Sequence, residues 1–594
     1  MTAPGQVRGA GAGAAAAVCA LCVVLATALS FRAGAFLVDD AFISFRYAHH
    51  LAQGRGLTFN DGDRLEGYTN FLWVLILAGA EVLGFSIPKA AVVLGFLLGL
   101  ACLAATWLLA RAIMGEDDPL GSLLAVLPLA ADRSFWLWGA SGMENPLYAV
   151  LVVLGAACLL SPRPHDGKRL LLLGASVLAL AALARPEAPL VFVVVLAVQA
   201  MPPRPALRAR DLAVASAAFA APLALYAAWK LWYFGELLPN TFYAKNVGAP
   251  HLVSEGRHYV SSFLADYGYG LGLAALLAAP VVAPPGRRRA AAVPAALTLC
   301  YLAYVWAVGG DIYYNYRFLT PVLPFLSVGL AATTLGLMTR LRLPSRPARH
   351  LLAAAVFLGF SVLAGLMSER RFREEHRLGE DYNGHRERVA AWLARWFPPE
   401  TVIATINVGI IPYRTDMRTV DLVGLTHREI GRSRVDPSRH APLAHEKSSA
   451  EAVLRERPDF IEFSRVEYPV AQPDSSPQWR PLEFATVYRY LSQTRYPAYR
   501  DLALREEFHR SYRPVAYPLG GDTGVVTFRR FPDGEIPLSE AWRNYAVALQ
   551  AEGFEREARD YLERAGRTTP GHGEMQRPTT PPESAQPGKG SAPR

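Results

Sequence analysis

Along the first 367 residues, long apolar runs alternate with short polar loops. Runs at 13–37, 89–112, 119–136, 146–161, 169–184, 187–201, 211–233, 264–283, 290–308, 318–338 and 350–367 predict about eleven transmembrane helices, each matched to roughly 30 Å of hydrocarbon. The first run reads as a retained anchor rather than a cleaved signal. Residues 69–84 break the pattern, because the apolar stretch Phe71–Phe85 is short and carries Glu81. A crossing there would invert every later loop, so an interfacial helix on the outer surface is predicted.

The loops supply the orientation. Arg111, the Arg163/Lys168/Arg169 group, Arg204/Arg208/Arg210, Arg287 to Arg289 and Arg340/Arg342/Arg346/Arg349 occupy every second loop. Basic residues are retained on the cytoplasmic side, which closes the count with a cytoplasmic N-terminus. The loops holding Asp39 and Asp40, Ser141 to Asn145, Arg185-Pro-Glu187, residues 234–263 and Gly309-Gly-Asp311 then face outward together.

From Ser368 the apolar runs shorten and charge becomes dense. Residues 386–397 have an amphipathic helical pattern stopped by Pro398-Pro399, and Thr401–Ile406 and Arg418–Val423 read as strands. Residues 449–457 followed by 459–463 repeat the helix-then-strand pattern. The predicted fold is a polytopic α-helical membrane module (1–367, with a functional first outer loop at 38–88) followed by an extracytoplasmic α/β domain (368–535). A helical hairpin at 536–566 resembles one tetratricopeptide unit; a single unit cannot bury its own face, so a docked cap is expected. The Pro-, Gly-, Ser- and Thr-rich tail, 567–594, is expected to be disordered.

Composition narrows the function. Of 594 residues 52% are hydrophobic and 19% charged, far from the balance of an ordinary globular enzyme. The net charge of +9 does not indicate nucleic acid, because the basic residues sit in topology-setting clusters between spans. All five cysteines lie in apolar segments, which argues against a disulfide framework or a zinc site. No P-loop, dinucleotide glycine pattern, HExxH or nucleophile elbow occurs.

The chemistry concentrates in a polar island, Val38 to Tyr47, directly after the first span. Carboxylates at a membrane boundary are costly unless they line a hydrated cavity or bind something. At helical spacing Asp39, Ile43, Arg46 and His50 share one face, and Asp40, Ser44 and Tyr47 the adjacent one. The competing reading is a helix cap at Asp39 with Asp40 favouring the dipole. A boundary carboxylate can act as general base toward a hydroxyl, with Glu144 as a second acid before Asn145-Pro146. Arg185, Lys245 and Arg317 are the cations available to a phosphate leaving group, although interfacial snorkelling accounts for each alone. Two carboxylates facing water are ligands of the type Mg²⁺ or Mn²⁺ takes, and the sequence leaves that need open.

The stretch Val38–Asn60 with Leu65-Glu-Gly-Tyr68-Thr-Asn70-Phe-Leu-Trp73 resembles the outer loop of GT-C glycosyltransferases. Ser141-Gly-Met-Glu-Asn-Pro-Leu, Ala184-Arg-Pro-Glu, Leu238-Pro-Asn240-Thr-Phe-Tyr243-Ala-Lys, Gly309-Gly-Asp311 with Tyr316-Arg-Phe-Leu-Thr-Pro, and Asp421-Leu-Val-Gly-Leu-Thr extend the likeness over roughly residues 30–530. The group most resembled is the actinobacterial terminal arabinofuranosyltransferases, which use decaprenyl-phosphate arabinose. The resemblance implies transfer of a sugar from a polyprenyl-phosphate donor to a cell-envelope glycan hydroxyl outside the bacterial cytoplasmic membrane. It places the catalytic acid at Asp39 or Asp40, favouring Asp39, with Glu144 as the second acid where a related lipid-A sugar transferase group has Asp. Arg185, Lys245 and Arg317 become the donor-phosphate residues, and Arg46, His50, Tyr68, Asn70, Asn240, Tyr243 and Asp311 the expected substrate contacts. The rival functions are transfer of mannose or another hexose to lipid or protein, and non-catalytic transport of polyprenyl-linked sugars.

Overall fold

The computed structural model describes residues 4–567 apart from 34–35, 162–166, 203–206, 246–251, 314, 344, 436–440, 473–474 and 494. The tail expected to be disordered lies, but for Arg567, outside the described residues. The chain is a multi-span helical membrane protein with a C-terminal mixed α/β domain.

Among the described residues seven helices are long and apolar enough to cross a bilayer, or up to nine if each of two bent pairs is one span. The remaining two of the predicted spans are helices of 16 residues (Asn145–Leu160) and 13 residues (Ala188–Ala200). At 1.5 Å per residue these reach only about 24 and 20 Å, so the expected eleven full spans are corrected to seven to nine. The predicted straight span at 119–136 is broken after Ala130, where Asp132 accepts the amide of Phe135 and the chain bends by 70°. The one at 264–283 is broken at Gly268, which adopts a left-handed conformation (φ 68°), and bends by 88°. One hydrogen bond joins the two breaks: Tyr269 donates to Asp132 at 2.7 Å. Irregular backbone at membrane depth is tolerated where protein buries it in this way.

Phe71–Val82 is a helix of 12 residues, about 18 Å long and too short to span. Close helix packing rests on small residues. A Cβ on Gly95 would lie 2.0 Å from the Gly139 carbonyl oxygen, and one on Gly99 would lie 2.6 Å from the Trp136 ring.

The last span and the predicted helix at 386–397 are one continuous helix, Arg346–Trp396, of 51 residues. Its length of about 77 Å is more than twice the hydrocarbon thickness, so its second half stands clear of the membrane. There Val389, Trp392 and Leu393 enter the core of the α/β domain with Ile403, Phe460, Val515 and Tyr517. The helix ends at Phe397, before Pro398, as the two prolines require.

The domain is built on a five-stranded sheet: β1 (Ile403–Thr405), β2 (Thr419–Asp421), β3 (Phe460–Gln472), β4 (Arg480–Pro481) and β5 (Tyr512–Arg530), in the order β2-β1-β3-β5-β4. β1 runs parallel to β2 and β3, while β3–β5 and β4–β5 are antiparallel. The hairpin Leu538–Ala551 and Glu555–Arg567 docks on this domain, with Trp542 and Tyr561 both donating to Glu506.

The two halves meet at the loop that follows the first apolar helix, residues 38–60. Asp39 accepts hydrogen bonds from the amides of Gly409 (3.2 Å) and Ile410 (2.9 Å), capping the short helix Ile410–Thr415 from the membrane side. Arg46 donates to the carbonyls of Phe59, Pro412 and Met417, and His50 pairs with Asp416 at 2.9 Å. Asn60 exchanges two 2.9 Å hydrogen bonds with the Thr419 backbone at β2.

A Cβ at position 409 would lie 1.9 Å from the Asp39 carbonyl oxygen. Gly409→Ala therefore lowers the thermal unfolding midpoint of the detergent-solubilised protein, at a cost of about 1–3 kcal/mol; an unchanged midpoint would show the junction to be slack. Burial works against ionisation of Asp416, but hydrogen bonds from His50 and Arg55 overcome it and hold its carboxyl well below the usual range. A depressed carboxyl contributes stability above the ordinary aspartate pKa of about 3.9 and loses it as pH falls. Asp416 is left-handed (φ 55°), a conformation Asn accepts, so Asp416→Asn flattens the acid limb of the midpoint-versus-pH curve without backbone strain. Superimposable acid limbs would contradict this.

Candidate functional site

Asp40 lies one residue beyond the junction clamp and has a different environment. Its side chain is 30% exposed, against 11% for Asp39 and 3% or less for Glu144, Asp311 and Glu187. Among these acids it alone presents substantial carboxylate surface. Its partner is the Arg317 guanidinium at 3.5 Å. Arg317 is fixed from behind by a two-pronged pair with Asp311 (2.7 and 2.8 Å) and by the faces of Tyr313 and Phe318, 4.7 and 5.2 Å away. A planar guanidinium held this way has little freedom to follow a ligand.

Beneath Asp40 runs a buried polar chain. Ser44 donates to Asn70 (3.1 Å), Asn70 to Glu144 (2.7 Å), and Arg185 to both Glu144 (2.7 Å) and Glu187 (2.8 Å). The Arg185 charge is thus compensated by two carboxylates. Burial of such a triad is tolerable only because each charge is paired.

Lys245, at the end of the short helix Asn240–Lys245, keeps solvent-accessible surface although protein surrounds it on most sides, as happens in a concave site. Desolvation pulls its ammonium below the ordinary lysine range, with Asp40 the strongest opposing influence. His445, from the α/β domain, closes the same region and lies within electrostatic range of Asp40 and Lys245. Burial lowers its pKa, and Nδ1–H donates to the Leu443 carbonyl at 2.9 Å, so the ring is a neutral imidazole at pH 7.

Asp39 is the better buried acid. Burial pushes its carboxyl up, opposed by Arg386, 3.7 Å away, and by the two amides it caps. Arg386, rather than Arg46, is the cation beside Asp39.

The fold brings together Asp40, Arg317, Asp311, Lys245, Asn70, Glu144 and Arg185. It does not bring Arg46 or His50 to them: both are buried, and their nitrogens are engaged at the domain junction. Tyr68 is buried against Tyr47, and Asn240 donates to the carbonyls of Gly424 and Leu425. Arg46 and His50 thus serve the domain junction, whereas the Tyr68 hydroxyl and Asn240 Oδ1 are buried without a hydrogen-bond partner among the described residues. Tyr243 is half-buried under the Arg432 guanidinium, 4.5 Å from its ring. Asp421, quoted from the sequence as part of a motif, accepts from the Val423, Gly424 and Thr426 amides and builds a turn.

Sequence reasoning missed Arg386, His445 and Tyr313, which lie far apart in the chain and follow no local motif. It also missed a buried pair, Glu66–Lys230 at 2.5 Å, whose lysine sits in a span; a charge inside an apolar run was the available signal. Among the described residues no group of three or more His, Cys, Asp or Glu side chains is arranged to hold a metal ion. Asp39 is engaged by two amides, while Asp40 meets Arg317 at 3.5 Å and keeps part of its carboxylate exposed.

A family model described as a domain of unknown function (DUF8728) matches residues 372–519. The terminal beta-(1->2)-arabinofuranosyltransferase of Mycobacterium tuberculosis is 30% identical over 289 residues, 45% of this chain and 44% of that protein. The protein of the same name from Corynebacterium glutamicum is 29% identical over 327 residues, 49% of this chain and 47% of that one. The chain is therefore distantly similar to these actinobacterial enzymes, and it spans less than half the length of the curated relatives it matches. Among solved structures, ArnT from Cupriavidus metallidurans bound to undecaprenyl phosphate aligns with a TM-score of 0.46 at 14% identity, covering 86% of this chain and 97% of that one. The apo oligosaccharyltransferase of Archaeoglobus fulgidus aligns with a TM-score of 0.48 at 10% identity, covering 91% and 77%.

Removing Glu144 leaves Arg185 with half its compensation and Asn70 without its acceptor. Glu144→Ala is expected to destabilise the protein by about 3–5 kcal/mol, read as a large loss of thermal midpoint in detergent. Asp40→Asn, at a partly exposed position, is expected to leave the midpoint within a degree or two. Equal midpoints for the two variants would mean that the chain beneath Asp40 is not the scaffold of the site.

Proposed function

We propose that this protein is a membrane glycosyltransferase that moves a sugar, arabinofuranose in the first instance, from a polyprenyl-phosphate donor to a hydroxyl of a cell-envelope glycan. The reaction takes place on the outer side of the bacterial cytoplasmic membrane. The observation that carries the reading is one accessible carboxylate, Asp40, set at the rim of a helical membrane module beside the Arg317 guanidinium and within electrostatic range of Lys245. The similarity to terminal beta-(1->2)-arabinofuranosyltransferases supports the choice of sugar.

The chemistry follows from the roles these groups can take. The acceptor hydroxyl approaches Asp40, which takes its proton as the oxygen forms a bond to the anomeric carbon. The bond from that carbon to the phosphate oxygen breaks, and its electron pair leaves with the phosphate. Lys245 meets the developing charge as the adaptable cation, and Arg317 as the pre-oriented one. Arg185, neutralised by Glu144 and Glu187, acts less on the phosphate than on the position of Asn70 and the Asp40 helix. Attack from the face opposite the leaving phosphate gives inversion at the anomeric carbon; a linkage retained relative to the donor would instead require the carboxylate to act as nucleophile or ion-pair stabiliser. Asp39 positions Asp40, because the backbone that carries both is anchored through Gly409 and Ile410.

The test is transfer from defined polyprenyl-phosphate sugars by protein in nanodiscs. Asp40→Asn is expected to lower kcat by at least about a hundredfold, the scale of a lost general base, with a normal thermal midpoint. Asp39→Asn is expected to lower activity and midpoint together. Lys245→Met raises the donor KM about tenfold, equivalent to about 1.4 kcal/mol of lost binding. Full turnover by Asp40→Asn with a stable but inactive Asp39→Asn would transfer the base assignment to Asp39. Absence of transfer from every polyprenyl-phosphate sugar supplied would reject the transferase reading.

A further inference from the structure

The α/β domain holds an open cavity of about 580 Å³ that the chemistry above does not use. That volume falls within the roughly 300–1,000 Å³ typical of ligand sites. Its walls come from β3, β5 and the helix Phe484–Gln493, with Glu462, Ser464, Arg465, Glu483 and Tyr490 among the polar side chains.

Glu462 is the unusual member. It is a buried acid (4% exposed) in the left-handed region (φ 65°), inside a β3–β5 register shift between Ile461 and Ser464. A bulge re-aims side chains, and here it leaves Phe463 in the core while Glu462 lines the cavity. Its carboxylate is pre-oriented by Tyr499, which donates to one oxygen, and by Ser464, which donates to the other at 3.1 Å. Backbone strain at a pre-oriented buried acid marks a position maintained for function. At the cavity mouth Tyr490 is 54% exposed, and nearby on the long helix Tyr382 is 62% exposed.

Residues around the cavity also interact with residues beside the candidate active site. Arg386 lies within electrostatic range of Glu462, stands over the Tyr382 ring at 5.8 Å, and pairs with Asp39 at 3.7 Å. On the other side the Tyr496 ring, itself within range of Glu462, lies 5.1 Å from His445, which neighbours Asp40.

We infer that this cavity binds the carbohydrate acceptor at a distance from the reacting hydroxyl, with Tyr490 as a stacking face and Glu462 and Arg465 as hydrogen-bonding partners for sugar hydroxyls. The inference rests on the transferase reading. Its chemistry favours a neutral, hydroxyl-rich chain: two carboxylates and one guanidinium line the site, which is a poor setting for the donor phosphate. An aromatic face beside paired donors and acceptors suits a sugar ring, whose faces are C–H and whose rim is hydroxyl.

The experiment measures binding of synthetic oligo-arabinofuranosides and oligomannosides to the full-length protein in nanodiscs, without donor, by saturation-transfer NMR and calorimetry. Wild type is expected to bind one oligosaccharide class with contacts to tyrosine. Tyr490→Ala and Arg465→Ala, both at exposed positions, are each expected to weaken binding about tenfold, and Tyr490→Phe to restore most of it. Wild-type affinity in Tyr490→Ala and Arg465→Ala overturns the proposal, as does binding of neither oligosaccharide class by wild type. Because no donor is present, a failure of sugar transfer is read separately and rejects the transferase reading instead.

Discussion

The Asp39 carboxylate accepts two backbone hydrogen bonds from residues some 370 positions away, and the rest of the structure depends on that contact. It fastens the helix Asp39–Ala52 of the membrane module to the first turn of a helix in the α/β domain. Gly409 is required there because no side chain fits against the Asp39 backbone. Arg46, His50 and Asn60 extend the same seam with hydrogen bonds to main chain and to Asp416. Buried polar groups of this kind are stable only when all their partners are present, so the junction holds as a unit.

That constraint makes the neighbouring acids unequal. Asp39 is drawn into the seam, and Asp40, one position along the helix, turns toward solvent and Arg317. Behind it, Glu144, Arg185 and Glu187 compensate one another and are closed to water. A site results in which a paired, neutralised layer supports one open carboxylate and one lysine with accessible surface. Groups with no reorganisation left to make suit stabilisation of a developing charge, whereas an accessible base must be free to meet a hydroxyl.

The long helix Arg346–Trp396 carries this arrangement into the α/β domain. Its Arg386 pairs with Asp39, lies over the Tyr382 ring and is within electrostatic range of Glu462. A break in the helix at the membrane surface would have uncoupled the two halves; no proline lies between Met367 and Trp396, and the helix runs through Gly379 and Gly384 unbroken.

The sequence by itself determined the helical membrane module, the α/β character of the second half and the polar island at Asp39 and Asp40, because apolar period and charge placement act locally. It also exposed the acids and bases of the outer loops, since charge beside hydrocarbon is rare without cause. Three matters were decided only by tertiary structure. The breaks at Asp132 and Gly268 depend on a hydrogen bond between distant segments, so apolar windows read each as one straight span. Arg46 and His50 share a helical face with Asp39, yet the α/β domain supplies their partners, and that packing is invisible to periodicity. The difference between Asp39 and Asp40 is likewise one of burial. Adjacent identical residues have identical chemistry in a chain, and only what packs against each makes one a fastening and leaves the other open to solvent.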